Sequence, residues 1–206
     1  MDITCVADLH CSYNLINIPK SDILICAGDI DAFDEAEIAR FNRWLGKQQT
    51  RYNIVIGGNH DAAFAQNGYK AISNALTNAI YLENSGVTIE GINFYGSPQT
   101  PTFQNWYFMC ERNKIKRYWD MIPDNTNVLI THGPPFGILD FAILDKKHVG
   151  CEELLKRIQQ IKPKYHIFGH IHHGYGQQTI GDTTFVNASI MDENYEPVNK
   201  PILITI

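Results

Sequence analysis

A chain of 206 residues is long enough for one sizeable core and short for two, so one domain over 1–206 is expected. Hydrophobic residues at 44% and charged residues at 19% are ordinary globular usage and exclude a disordered chain. Seventeen Lys and Arg against 22 Asp and Glu give a formal charge of −5, which excludes a general basic surface for gripping long nucleic acid.

No apolar run approaches the roughly 20 residues of a membrane span, and Met1-Asp2-Ile3-Thr4 lacks the basic start and apolar stretch of a secretory signal. The cysteines (Cys5, Cys11, Cys26, Cys110, Cys151) are odd in number and form no CxxC pair. They read as reduced thiols, and a cytoplasmic location is expected.

In chain order, Ile3–Ala7 and Asp22–Ala27 are short, flat apolar runs that fit strands buried on both faces. Asp34 with Glu37 three residues on opens a helix whose Ile38, Phe41, Trp44 and Leu45 share one face. Asn53–Ile56 is the third strand, and Tyr69–Thr77 a further helix. Val87–Ile89 and Ile92–Tyr95 flank Glu90-Gly91 as a hairpin. Ser97–Tyr107, with Phe103, Trp106 and Tyr107, is an aromatic loop suited either to packing on the domain or to stacking a nucleobase. Glu111–Met121 is a helix whose Arg112, Lys114, Lys116 and Arg117 form a solvated face.

Val128–Thr131 is the next buried strand. Cys151–Ile161 is a helix with Leu154, Leu155, Ile158 and Ile161 inward, ended by Pro163. Tyr165–Phe168 is another strand. Gln178–Ile180 and Thr183–Asn187 form a hairpin around Gly181-Asp182, and Pro201–Ile206 is a last strand. Strands alternating with helices, with hairpins added, give an α/β sandwich with sheets inside and helices outside.

Function is carried by the residues just beyond the buried strands. The five continuations are Asp8-Leu9-His10, Gly28-Asp29, Gly57-Gly58-Asn59-His60-Asp61, His132-Gly133-Pro134-Pro135 and Gly169-His170-Ile171-His172. Ligands in α/β folds sit outside the carboxyl ends of the strands. A rim that gathers carboxylate, amide and imidazole donors suits two divalent cations such as Mn²⁺, Fe, Zn²⁺ or Co²⁺. Asp8 and His10 are two apart, as are His170 and His172, so each pair points one way from an extended strand end. Glycines before Asp29, Asn59 and His170 let the backbone turn sharply.

These motifs, in this order over residues 8–172, resemble the calcineurin-like metallophosphoesterase superfamily. Leu129–Pro135, Phe168–Gly176 and Val186–Ser189 resemble its branch of small metallophosphoesterase-domain proteins more closely. The resemblance implies a four-layer α/β/β/α sandwich with the metal site at the C-terminal ends of the strands. It implies one metal on Asp8, His10, Asp29 and His172. A second would sit on Asp29, Asn59, His132 and His170, with Asp29 bridging and Mn²⁺ the first candidate ion. Two such ions clamp an in-line displacement by a bridging hydroxide. His60 is the candidate to protonate the leaving alcohol or bind the phosphoryl group, with Asp61 or Asp31 to orient it. The expected activity is hydrolysis of small phosphodiesters, including cyclic nucleotides. A phosphomonoesterase with the same site, or a binding module that keeps the fold without the chemistry, is the alternative. His148 has no evident partner in the sequence, and His166 reads as structural.

Overall fold

A computed structural model describes residues 1–206. The strands in chain order are β1 (Asp2–Val6), β2 (Ile23–Ala27), β3 (Tyr52–Ile56), β4 (Ile80–Tyr81), β5 (Ser85–Ile89), β6 (Ile92–Ser97), β7 (Thr100–Pro101), β8 (Met109–Cys110), β9 (Val128–Thr131), β10 (Phe141–Ala142), β11 (Lys147–His148), β12 (Tyr165–Phe168), β13 (Gly176–Ile180), β14 (Thr183–Asn187) and β15 (Ile202–Thr205). The helices are α1 (Glu35–Leu45), α2 (Ala62–Ala75), α3 (Lys116–Trp119) and α4 (Glu152–Ile161), with 3₁₀ turns at Ser12–Leu15 and His172–Gly174.

Strands β1 to β4 run parallel in one sheet, ordered β15-β1-β2-β3-β4 with β15 antiparallel on the edge. The second sheet has the order β13-β14-β12-β9-β6-β5, parallel through β14, β12, β9 and β6 and closed at each edge by a hairpin. The period of two along each strand builds the layers. Ile3, Cys5, Ile23, Ile25, Ile54 and Ile56 face Val128, Ile130, Ile167 and Val186 across the seam between the sheets. The intervening Val6, Leu24, Cys26 and Val55 face Ile38, Phe41 and Trp44 of α1 and Phe64 and Ile72 of α2. On the far side, Tyr95, Leu129, Phe168 and Phe185 meet Trp119, Leu154 and Ile158 of α3 and α4. The result is a four-layer α/β/β/α sandwich, as expected. No helix is long and apolar enough to cross a membrane.

Two helices depart from expectation. α2 begins at Ala62 rather than Tyr69 and kinks at Gly68 (φ 76°), whose break in the period hid its first half. α3 spans only Lys116–Trp119, because the preceding residues close as turns such as Lys114 N–H to the Glu111 carbonyl. The basic run there is solvated, with Lys114 on Glu111 and Lys116 on Asp120. The α1 cap forms as expected: Asp34 accepts from Glu37 N–H at 2.8 Å.

At the rim, residues 188–190 tie the two sheets together. Ala188 N–H donates to the Phe168 carbonyl at 2.7 Å, and Ala7 N–H to the Ala188 carbonyl at 2.8 Å. The loops after β1, β2 and β3 therefore open beside those after β9 and β12.

Candidate metal centre

The backbone turns abruptly where the donors begin. Asp8 (φ 53°), His10 (38°), Asp29 (55°), Asp31 (64°) and His170 (70°) all occupy the left-handed region. Each costs about 1–2 kcal/mol for an L-residue, and such strain concentrates at functional sites. The pairs Asp8/His10 and His170/His172 do converge, but not by the extended alternation expected from their spacing. Left-handed turns aim them, and Leu9 between the first pair is buried in the core under α1. The glycines serve close approach: a Cβ on Gly58 would overlap Asp29 Oδ1, and one on Gly169 would overlap Asp8 Oδ2.

Three clusters have ligand atoms within 4.8 Å of one another: Asp8, His10 and His172; Asp29, His132 and His170; and His10, Asp31 and His60. Asn59 joins the second, its Oδ1 2.9 Å from His132 Nε2. The donors from both sheets thus meet in one place. Three imidazoles are fixed from behind. His132 Nδ1–H donates to the Ala27 carbonyl at 3.0 Å, His172 Nδ1–H to the Asp192 carbonyl at 2.8 Å, and His10 Nδ1–H to Asp31 Oδ1 at 3.0 Å. Each leaves Nε2 aimed inward, the arrangement that orients metal-ligating histidines. Asp8 is held by His170 N–H, which reaches both carboxylate oxygens at 2.9–3.0 Å.

His60 lies beside His10, ring centroids 4.9 Å apart, with Nδ1 3.4 Å from Asp31 Oδ1. Asp31 is therefore the carboxylate at the His60 ring. Asp61 is occupied elsewhere. Its two oxygens accept backbone N–H groups from Asp29, Ile30, Ala32 and Gly58 at 2.8–3.1 Å, which locks the loop after β2 to the loop after β3.

Burial would push Asp29 up, but the His132, His10 and His60 charges hold it well below the usual carboxylate range. Burial opposes protonation of His132, yet Asp29 brings its pKa up to about 9. Asp61 is pushed up to about 7 by burial and the Asp29 charge, against the pull of its backbone donors. Burial lowers His170 to about 3, leaving a neutral imidazole with its lone pair available.

The donor set fits divalent cations. His10 Nε2 is buried with no hydrogen-bond partner. His132 Nε2 faces two oxygens, Asn59 Oδ1 at 2.9 Å and Asp29 Oδ2 at 3.2 Å. With Nδ1–H given to the Ala27 carbonyl, a proton on Nε2 is favoured by the charge of Asp29 beside it. A borderline metal ion would replace the proton.

Aromatic side chains wall the centre. Trp106 stacks on His60 (4.3 Å, 27°) and Phe103 meets His170 edge-on at 5.4 Å, both from the loop singled out as aromatic. Sequence reasoning missed Tyr195, which lies 4.8 Å from the His10 ring and 5.1 Å from that of His172. It sits in a left-handed turn (φ 60°) whose Asp192 carbonyl supports His172, and no motif marks that turn. Of the other histidines, His173 pairs with Glu193 at 3.3 Å. His166 is fully buried in β12, 2.7 Å from Thr131 Oγ1.

A two-sheet sandwich with these donors on its rim is the architecture of a metal-dependent phosphoesterase, and residues 1–174 match the family model for calcineurin-like phosphoesterases. The chain belongs to that family. It is 40% identical to metallophosphoesterase domain-containing protein 1 of Homo sapiens, over 98% of this chain and 70% of that protein. It is 34% identical to a UPF0046 protein of Caenorhabditis elegans, over all of this chain and 75% of that one. Among solved structures it resembles phosphopantetheinyl hydrolase of Mycobacterium tuberculosis (TM-score 0.60, 15% identity, 91% of this chain and 88% of that one). It also resembles a protein of Thermus thermophilus (TM-score 0.61, 14% identity, 90% and 88%). At such identities these last two likenesses concern the fold.

Proposed function

We propose that the chain hydrolyses small phosphodiesters, cyclic nucleotides among them. Two divalent cations would be held by Asp8, His10, Asp29, Asn59, His132, His170 and His172, Mn²⁺ being the first candidate. The observation that carries this reading is the convergence of those donors beside a His60 imidazole whose Nδ1 faces Asp31 at 3.4 Å. When bound, the cations supply positive charge for the phosphoryl oxygens and acidify water. The rest is the chain's own work. Asp31 holds His60 by Nδ1, so Nε2 can carry a proton to the leaving oxygen as water attacks phosphorus and the P–O bond breaks. Trp106 stacks on that ring and covers one of its faces.

A diester carries one negative charge and a monoester close to two. The side chains crowding the donors are aromatic or acidic (Phe103, Trp106, Tyr195, Asp31) rather than cationic, which favours the diester. The reading extends to one cytoplasmic domain, in keeping with an inter-sheet core that is continuous from β1 to β15 and with five unpaired cysteines.

The test is a panel of bis-p-nitrophenyl phosphate, p-nitrophenyl phosphate and 2′,3′- and 3′,5′-cyclic nucleotides, after reconstitution with Mn²⁺, Fe, Zn²⁺ or Co²⁺. Diester turnover above monoester turnover is expected, and the reverse overturns the substrate assignment. Turnover of nothing with any metal overturns the enzyme reading. His60→Ala is expected to keep its metals and lose about 10²–10⁴ in kcat, most on cyclic nucleotides, whose alkoxide leaves least readily.

A further inference from the structure

The structure pairs His148 with Asp140 in a dyad that the metal centre does not use. Asp140 is fully buried. Its Oδ1 lies 2.5 Å from His148 Nδ1, and its Oδ2 accepts N–H from Gly137 and Gly150, each at 2.9 Å. The carboxylate therefore fixes the imidazole by Nδ1–H and leaves Nε2 free. The His148 side chain is nevertheless 48% exposed while its partner is 0% exposed. The imidazole is thus oriented from below and presented to solvent.

Around it the surface is aromatic. Phe141 meets the His148 ring edge-on at 5.3 Å and Phe136 is tilted to it at 5.8 Å, both with more than a third of their surface exposed. Leu144, at the tip of the hairpin that joins β10 to β11, is 94% exposed. Exposed apolar side chains gathered around one oriented polar group are the makings of a ligand subsite. Of the cations beside it, Arg112 is spent on the Val149 and Gly150 carbonyls and on Glu152, and Lys147 lies 3.6 Å from Asp145.

The patch is tethered to the metal rim. Phe136 lies four residues beyond His132, a reach of at most about 14 Å. Asn187, fully buried, donates through Nδ2 to the Ile171 carbonyl at 2.8 Å and to the Leu139 carbonyl at 3.4 Å. One amide thus joins the residue between His170 and His172 to the residue before Asp140. His60 is on the His10 side of the centre, whereas this loop departs from His132 in the other cluster.

We propose that Phe136, Phe141 and His148 form a subsite for an aromatic ring on the group that stays esterified to phosphorus, with His148 Nε2 bonding to a polar edge of that ring. The proposal rests on the phosphodiesterase reading for its occupant and names the substrate class: diesters whose non-leaving group is aryl or heteroaryl.

Two substrates with one leaving group isolate the effect: bis-p-nitrophenyl phosphate, with an aryl non-leaving group, and methyl p-nitrophenyl phosphate, with a methyl one. His148→Ala and Phe141→Ala are expected to raise KM for the aryl diester about threefold to tenfold, with kcat retained and the methyl diester unaffected. Equal effects on both diesters, or none, overturn the subsite. A binding measurement separates this from failure of the enzyme reading. Phenylphosphonate is expected to shift the His148 Cε1–H proton resonance and methylphosphonate to leave it in place, whether or not any ester is hydrolysed. A His148 resonance that ignores both ligands overturns the proposal. Phe141→Ala, at an exposed position, serves if His148→Ala fails to fold.

Discussion

Asp31 accepts from one imidazole and faces a second, at 3.0 Å from His10 Nδ1 and 3.4 Å from His60 Nδ1. His10 is a candidate metal donor and His60 the candidate acid, so one carboxylate sets the aim of both. Burial works against ionisation of Asp31, but the two histidine hydrogen bonds lower its pKa and keep it charged. Asp31→Asn removes that charge while keeping the shape. Metal affinity is expected to fall about 10–100-fold, read by competition with a chelating indicator, with a loss of kcat beyond what saturating metal restores. Unchanged affinity and rate would remove Asp31 from the account. The sequence did not distinguish Asp31 from Asp61 because both neighbour motif residues. The choice is made by a left-handed turn at Asp31 and by four backbone N–H groups that capture Asp61, and neither is encoded in a spacing.

At the scale of elements, Asp61 is the clasp between the loops after β2 and β3. Truncation to Ala leaves buried backbone donors from Asp29, Ile30, Ala32 and Gly58 without an acceptor. Each unsatisfied group costs about 1–3 kcal/mol, so Asp61→Ala is expected to lower the midpoint of thermal unfolding by at least about 8 °C, with metal affinity falling as Asp29 loses its support. A variant with the wild-type midpoint would show that the clasp carries no strain. The central strands β1, β2, β3, β9 and β12 were legible because each is a short apolar run, whereas β4, two residues long, was not, and the capping pair Asp34 and Glu37 announced α1. The ribbons β7-β8 and β10-β11, two residues per strand, left no periodicity to read. Tyr195 was hidden for a different reason. Its loop follows a path set by tertiary bonds, including Asn199 Nδ2 to the Ser189 and Met191 carbonyls at 3.1 and 3.2 Å.

For the molecule as a whole, His166 shapes acid stability from inside the second sheet. Thr131 Oγ1 donates to the Gly133 carbonyl, so His166 Nε2–H must donate to Thr131, and Nδ1 is left buried without a partner. Burial lowers its pKa to about 3. The unfolded chain takes up a proton near pH 6.5 that the folded chain refuses until about pH 3. Stability is therefore intact above pH 6.5 and falls on acidification across that window, by about 1.4 kcal/mol per pH unit at full slope. His166→Gln, unfolded in urea with chelator present, is expected to lose less stability between pH 6 and 4 than the wild type. Parallel slopes would exclude this histidine as the cause.

Asp8, His10, Asp29 and Asn59 hang from one sheet, and His132, His170 and His172 from the other. Cations seated among them would rivet the two halves across a seam otherwise closed by greasy contacts and the strap at residues 188–190. Any slippage of one half against the other then pulls donors apart and is felt as weaker ion retention. Shaving a methyl from that seam, as in Ile23→Val at the start of β2 and six residues before Asp29, costs about 1 kcal/mol. Its first symptom would be faster stripping by chelator, ahead of any change in turnover at saturating metal, and an unaltered stripping rate would mean that the halves move independently of their rivets.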